Sequence, residues 1–280
     1  MACLRQNSLR RQAQKTGDEE RFEHGPNIAV ATVDGFSCNP AGKVNQILTS
    51  SGQSRAMSNP TPNPRQLVII GAGGHGRVCA DVARRAGWDI IGFCDPAFRH
   101  VDEILGVPVI DMSEQELFAD WPQGAELIVA IGDNARRLAV ADEAARCAIT
   151  LAVLADPSAV LSPSATLGPG SVVMPGAVIN AEAFVGRAAL INTAAVVEHG
   201  ARVGQGAHIA PGACLTGDSV VGERSMVGAR ATLLPGVQIG RDVSIGAGAV
   251  VTRDSGDATC LIGIPATAVR QLKLVDQVIS

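Results

Sequence analysis

The chain contains no tyrosine, and aromatic residues make up only 3% of its 280 positions. Its core must therefore be built from Val, Ile, Leu and Ala, which the 46% hydrophobic content supplies. No apolar run approaches the ~18–20 residues that cross a bilayer. The N-terminus carries arginines but lacks the apolar stretch of a secretory signal. A net charge of −4 leaves no cationic footprint for nucleic acid or an anionic membrane surface. The seven cysteines (Cys3, Cys38, Cys79, Cys94, Cys147, Cys214 and Cys260) form no Cys-x-x-Cys pair, and their number is odd. That pattern points to reduced thiols in a cytoplasmic protein, with neither a disulfide frame nor a metal site.

Composition divides the chain into three main parts. Residues 1–64 are polar, rich in Gly, Ser, Pro and Gln, and weakly periodic, ending in "MSNPTPNPRQ". They are expected to lack fixed structure or to be an extension, with Met57 an alternative start. Residues 65–157 alternate strand and helix patterns and predict a small parallel sheet in a Rossmann-like domain. "QLVII" is a buried strand, "GAGGHG" a turn and "RVCADVARRAG" a helix; "WDIIGFCD", "AELIVAIGD" and "NARRLAVADEAARCA" follow as strand, strand and helix. Gly71, Gly73 and Gly76 match G-x-G-x-x-G, and Asp95 ends the second strand, where a ribose-binding acid sits in dinucleotide folds. About 90 residues is half a full dinucleotide fold, so the cleft suits a mononucleotide: helix amides for phosphate, a carboxylate for sugar or base.

Residues 158–270 are the most informative. From Ala159 to Asp254 they fall into sixteen hexads, AVLSPS ATLGPG SVVMPG AVINAE and onward, whose third position is Leu, Val or Ile without exception from Leu161 to Val251. The first position is Ala or Ser, with Val only at Val237 and Val243. A period of six fits neither an amphipathic helix nor a hairpin sheet; it fits a β-helix of hexapeptide repeats. Three hexads make one three-sided coil of 18 residues, with each aliphatic pointing inward and coils ~4.8 Å apart. Residues 271–280 are read as a tail.

Two of the five histidines lie among the hexads. His199 is two places after an inward aliphatic and His208 one before, so both should face outward. Residue n lies beneath n + 18, which puts His199 beneath Gly217. An imidazole that can take a proton, beside a backbone N–H that can hold an oxyanion, is an acyl-transfer pairing. No Ser or Cys is obviously paired with either histidine, so a covalent acyl-enzyme is not expected.

From about Gln66 to Val269 the chain resembles the sialic-acid O-acetyltransferase and nucleotide-4-aminosugar N-acetyltransferase family. "VIIGAGGHGRVCADVA", "INTAAVVEHG", "AHIAPGACLTGD" and "GIPA" carry the likeness. It is nearest to the UDP-N-acetylbacillosamine and GDP-perosamine N-acetyltransferases. The resemblance implies a left-handed parallel β-helix behind the Rossmann-like domain. It also implies a homotrimer that binds acetyl-CoA between subunits, and a nucleotide-sugar substrate held by the N-terminal domain. By the same resemblance His199 is the general base, His208 lies near the thioester, and Gly217 faces its carbonyl. Ala229 and Ala247, one coil apart, contact the pantetheine arm. Asn192 lies near the sugar; Gly73, Gly74 and His75 form the loop on the nucleotide-sugar, and Asp95 meets the nucleoside.

Two positions depart from the pattern. The bacillosamine enzyme has a carboxylate after the histidine, where this chain has Gly200; Glu198 substitutes only if the corner bends it toward the ring. Pro96 stands where that enzyme has a second Asp, which weakens the case for uracil and leaves guanine open. Three rivals to acetylation of a C4 amine remain at this point. One is O-acetylation of sialic acid. Another is a trimeric zinc carbonic anhydrase, which needs three protein ligands where the hexads offer two histidines. The third is a non-catalytic dinucleotide-binding module.

Overall fold

The computed structural model describes residues 65–272. The polar N-terminal segment with Met57, and most of the C-terminal tail, lie outside the described residues. No helix among the described residues is long and apolar enough to cross a membrane.

The first part is a three-layer α/β unit. Strand β1 (Gln66–Ile70) runs parallel to both β2 (Asp89–Cys94) and β5 (Glu126–Val129), in the order β2-β1-β5. All four residues Leu67–Ile70 are buried, as expected of a central strand covered on both faces. Helix α1 (Gly74–Arg85) buries Cys79, Ala80, Val82 and Ala83, and α3 (Asn134–Arg146) buries Leu138, Val140, Ala141 and Ala144. Two elements escaped the sequence reading. A small hairpin joins β3 (Glu103–Ile104) to β4 (Val107–Pro108), and α2 (Glu114–Ala119) starts in a capping box between Ser113 and Glu116.

The second part is a three-sided parallel β-helix. Its two-residue strands run from β6 (Leu154–Ala155) to β22 (Val250–Val251) and stack into three sheets. The register is the predicted one: Val196 pairs with Val178 below and Cys214 above, and His208 with Leu190 and Met226. The third-position aliphatics from Val173 to Val251 are buried, together with the first-position alanines. Leu161, at 38% exposure, and the partly buried Leu167 are the exceptions, because their strands β7 (Val160–Leu161) and β8 (Thr166–Leu167) are the last in their sheets and no coil lies beneath. The stack also outlasts the hexads. β6 precedes them, and β23 (Thr259–Ile262) pairs with Ser244 and Ile245 through a shortened sixteen-residue coil.

Corners of the coil use left-handed backbone, and they stack as the strands do. One edge runs Gly170, Ala188, Gly206, Arg224 and Asp242, with φ between 52° and 74°. Helix α3 lies along this edge. Asn134 Nδ2 donates to Arg224 O (2.9 Å), and Arg137 donates to Ala188 O (2.9 Å) and Gly206 O (2.7 Å). Its first turn thus engages three successive corners, while Arg187 and Asp142 pair further along the helix. Leu154, Val172, Met174 and Leu190 of the β-helix join the core under α1.

Candidate active site

The turn after β1 has two kinds of glycine. Gly71 adopts φ +102°, and an added Cβ would lie 2.7 Å from Ala130 O; a Cβ on Gly76 would overlap the Gly71 carbonyl oxygen. These two are required by the fold. Gly73 and Gly74 are different: an added Cβ meets nothing within 4 Å. They border open space at the N-terminus of α1, where Gly73 is the N-cap and no side chain caps the amides. Such a terminus suits a phosphate. Asp95 ties the turn to the end of β2, accepting from Ala72 N (2.8 Å) and Ala97 N (3.0 Å). Its carboxylate is therefore a brace of the turn, whatever it also offers a ligand.

His75 turns back from this loop toward Cys79, with ring nitrogens 3.7 and 3.9 Å from Sγ. Burial, reinforced by the Arg137 charge, pushes its pKa down to about 4. The Cys79 thiol is pushed up to about 12 by burial. Both are neutral near pH 7.

On the β-helix, His199 is exposed and its ring lies against Gly217. A Cβ added to Gly217 would fall 2.5 Å from Cε1 and 2.6 Å from Nε2 of His199. The N–H of Gly217 has no acceptor among the described residues. The cause is its place in the hexad. Fifth-position amides take no part in the backbone ladder between coils, although Thr193 N and Arg241 N donate to side chains, and proline fills that place at Pro163, Pro169, Pro175, Pro211 and Pro235. Ala229 and Ala247 occupy the same register, and their N–H groups are unpaired too.

His208, on β15 (His208–Ile209), faces outward from its sheet as predicted and is partly buried, within electrostatic reach of Arg137 and His75 of the α/β unit. Asn192 Nδ2 lies 3.0 Å from His208 Nε2. Burial, then the charges of Arg137 and His75, bring the His208 pKa down to about 4. His75, Asn192 and His208 therefore belong to one neighbourhood. His199 and Gly217 lie elsewhere on the same chain, at the corner after β13 (Val196–Val197), which belongs to a different sheet. Glu198 accepts from Asn180 Nδ2 (2.8 Å) and makes no bond to His199. Asp218, from the next coil, fills the space a side chain at Gly200 would need. Cys214 has its pKa raised by burial and by Glu198, so it is a thiol rather than a nucleophilic thiolate.

Among the described residues no three His, Cys, Asp or Glu side chains converge to hold a metal ion. The residue that sequence reasoning missed is Arg137. A signal was present: it falls in phase with Ala141 and Ala144, four and seven residues on, along the buried stripe of α3.

Residues 66–144 match the PglD N-terminal domain, and residues 218–253 match the bacterial transferase hexapeptide repeat (six repeats). Among curated proteins none matches by sequence. Among solved structures, PerB from Caulobacter crescentus, in complex with CoA and GDP-perosamine, is 41% identical with a TM-score of 0.68, over 73% of this chain and 97% of its own. The acetyltransferase domain of PglB from Neisseria gonorrhoeae, in complex with acetyl coenzyme A, is 37% identical with a TM-score of 0.69, over 74% and 100%. WeeI from Acinetobacter baumannii, at 20% identity and a TM-score of 0.66, shares the fold. With an N-terminal α/β unit and a hexapeptide β-helix like theirs, and with this identity along nearly the whole of the first two, the chain belongs to the nucleotide-aminosugar N-acetyltransferases of the hexapeptide acyltransferase superfamily.

Proposed function

We propose that the protein moves acetyl from acetyl-CoA to the C4 amine of a nucleotide-linked 4-amino-4,6-dideoxy sugar. The observation that carries this is the His199 imidazole packed on Gly217, whose N–H is unpaired. The amine lone pair attacks the thioester carbonyl and a C–N bond forms. The Gly217 N–H donates to the developing oxyanion. His199 accepts the proton released from nitrogen, and the C–S bond breaks to release CoA thiolate. Holding both reactants in line supplies much of the rate. Unpaired amides at Ala229 and Ala247, one coil apart, suit a pantetheine arm running along the stack. The open turn at Gly73 and Gly74, with the free amides of α1, suits the diphosphate of the sugar nucleotide.

Three copies form the enzyme in this reading. His199 and Gly217 sit at one corner of the coil and Asn192 and His208 on another sheet, so one copy's pair meets the neighbour's across a shared cleft. GDP is favoured over UDP as the nucleotide: the 41% identical relative holds GDP-perosamine, and Pro96 leaves one carboxylate at that site.

The test is a thermal-shift panel of GDP- and UDP-4-amino sugars with and without acetyl-CoA, followed by thiol release. Ligands that bind only the native state raise its melting temperature. GDP-4-amino sugars should give the larger shift and acetyl-CoA-dependent thiol release. Stabilisation by NAD or free sialic acid, with no response to any amino-sugar nucleotide, would overturn the proposal.

A further inference from the structure

Arg137 is 1% exposed, and all five of its donors are engaged. Nε donates to Ala188 O and Nη2 to Gly206 O and Asn134 Oδ1 (2.7 Å), while Nη1 donates to Ile131 O (2.9 Å) and Gly132 O (3.3 Å). Four of the five acceptors are backbone carbonyls and none is a carboxylate. Burying an arginine without a contacting anion is costly, and carbonyl dipoles meet that cost only when every donor is satisfied. The arrangement locks the loop after β5 onto two corners of the β-helix. It also leaves the positive charge without a hydrogen-bonded carboxylate, with Asp133 acting on it only through the field.

His208 is the group that feels this charge where chemistry is at stake. Asn192 Oδ1 accepts from Thr193 N (2.8 Å), which fixes the amide so that its NH2 faces His208 Nε2. Nε2 must then be bare, because a proton there would set donor against donor. The proton of His208 belongs on Nδ1. The groups acting on His208 are Arg137 from α3 and His75 from the first turn of α1; Cys79 faces His75 and is a neutral thiol. Burial opposes a second proton on the ring most, then the Arg137 charge, and His75 adds to this only where it is itself protonated.

We propose that Arg137 is a positioning residue for acyl transfer: it clamps the α/β unit to the β-helix corners and holds His208 as the neutral, Nδ1-protonated partner of Asn192. The assignment of His208 to the acyl site rests on the function proposed above. The state of its ring does not, and can be measured without substrate.

The experiment is ¹⁵N NMR of histidine-labelled full-length protein from pH 8 to 4.5, with His208→Asn to assign the signal. Wild-type His208 should show a bare Nε2 and an Nδ1–H throughout, without titrating near its ordinary range. Arg137→Met keeps the aliphatic bulk and removes the charge. Its His208 midpoint should rise, while staying below the ordinary histidine value because burial remains, and kcat should gain an acid limb at that midpoint. Arg137→Lys keeps the charge and loses most of the clamp. It should preserve the ring state while the KM for the sugar nucleotide increases. An Nε2–H tautomer, or titration near pH 6.5 in the wild type, overturns the proposal even if Arg137→Met fails to fold. So does a folded Arg137→Met with an unchanged His208 signal and pH profile. Failure of the amino-sugar assay alone, with the ring state as described, would count against the proposed function and not against the clamp.

Discussion

Gly217→Ala is a perturbation whose size can be worked from the geometry. Gly217 is not in the left-handed region, so alanine can adopt its backbone. The new methyl would lie 2.5 Å from His199 Cε1 and 2.6 Å from Nε2, whereas ordinary contact begins near 3.4 Å. The ring must retreat by roughly 1 Å, a displacement of a catalytic group that can cost ~10²-fold in rate. The β-helix core is untouched, so the melting temperature should hardly change. Release of CoA thiol under subsaturating amino-sugar nucleotide gives kcat/KM, which should fall ~10²-fold, or about 2.7 kcal/mol of transition-state stabilisation. His199→Ala alone should lower it ~10²–10⁴-fold without abolishing turnover. The decisive measurement is the double variant. With no ring to strike, the alanine at 217 should add almost nothing to the loss at 199, and the two effects should be strongly non-additive. Wild-type kcat/KM in Gly217→Ala, or simple additivity in the pair, would refute the contact between ring and amide as the seat of catalysis.

Three further outcomes are expected. His75 and His208 resist protonation down to about pH 4 in the native protein, while an unfolded histidine protonates near 6.5, so the unfolded chain binds more protons between those values. Stability should be complete above about pH 6.5 and fall by up to a few kcal/mol as pH drops toward 4; a urea midpoint that is flat from pH 7 to 5 would contradict this. Ser219 Oγ is buried without a hydrogen-bond partner among the described residues, in a slot that alanine fills at Ala201 and Ala213. Ser219→Ala should stabilise by about 1 kcal/mol, read as an upward shift in melting temperature. In Asp95→Asn an NH2 group must face either Ala72 N–H or Ala97 N–H, since both carboxylate oxygens accept. The KM for sugar nucleotide should rise at unchanged KM for acetyl-CoA, with a stability loss of ~1–3 kcal/mol.

The β-helix was legible because its period is a one-dimensional pattern. Each aliphatic such as Ile191 or Val197 has its partner eighteen residues away, and that spacing alone placed His199 beneath Gly217. The α/β unit was legible at β1, α1, β2, β5 and α3, where apolar runs meet glycine turns. The site was less so, for a physical reason. The burial of Arg137, and with it the charge that acts on His208, comes from α3 docking on corners 188, 206 and 224, and no local spacing reports the docking of one unit on another. Arg137 looks like one more charge on a helix until its phase with Ala141 and Ala144 is noticed. Glu198 was weighed as a stand-in carboxylate, but Asn180, one coil below, takes it. The filling of the Gly200 position by Asp218 follows the same eighteen-residue spacing; what the spacing does not report is that the Asp218 carboxylate turns into that space.

Amides left idle at fifth places of the hexad, Ala229 and Ala247 among them, turn the β-helix into a length gauge. Those of Ala229 and Ala247 are separated by one rung, ~4.8 Å. A linear co-substrate laid along them is measured in whole rungs, by groups that contribute nothing to holding the rungs together. An eighteen-residue insertion between the two would leave the ladder intact and double their separation to roughly 10 Å. Reach along this axis can therefore be reset while the scaffold stays as stable as before.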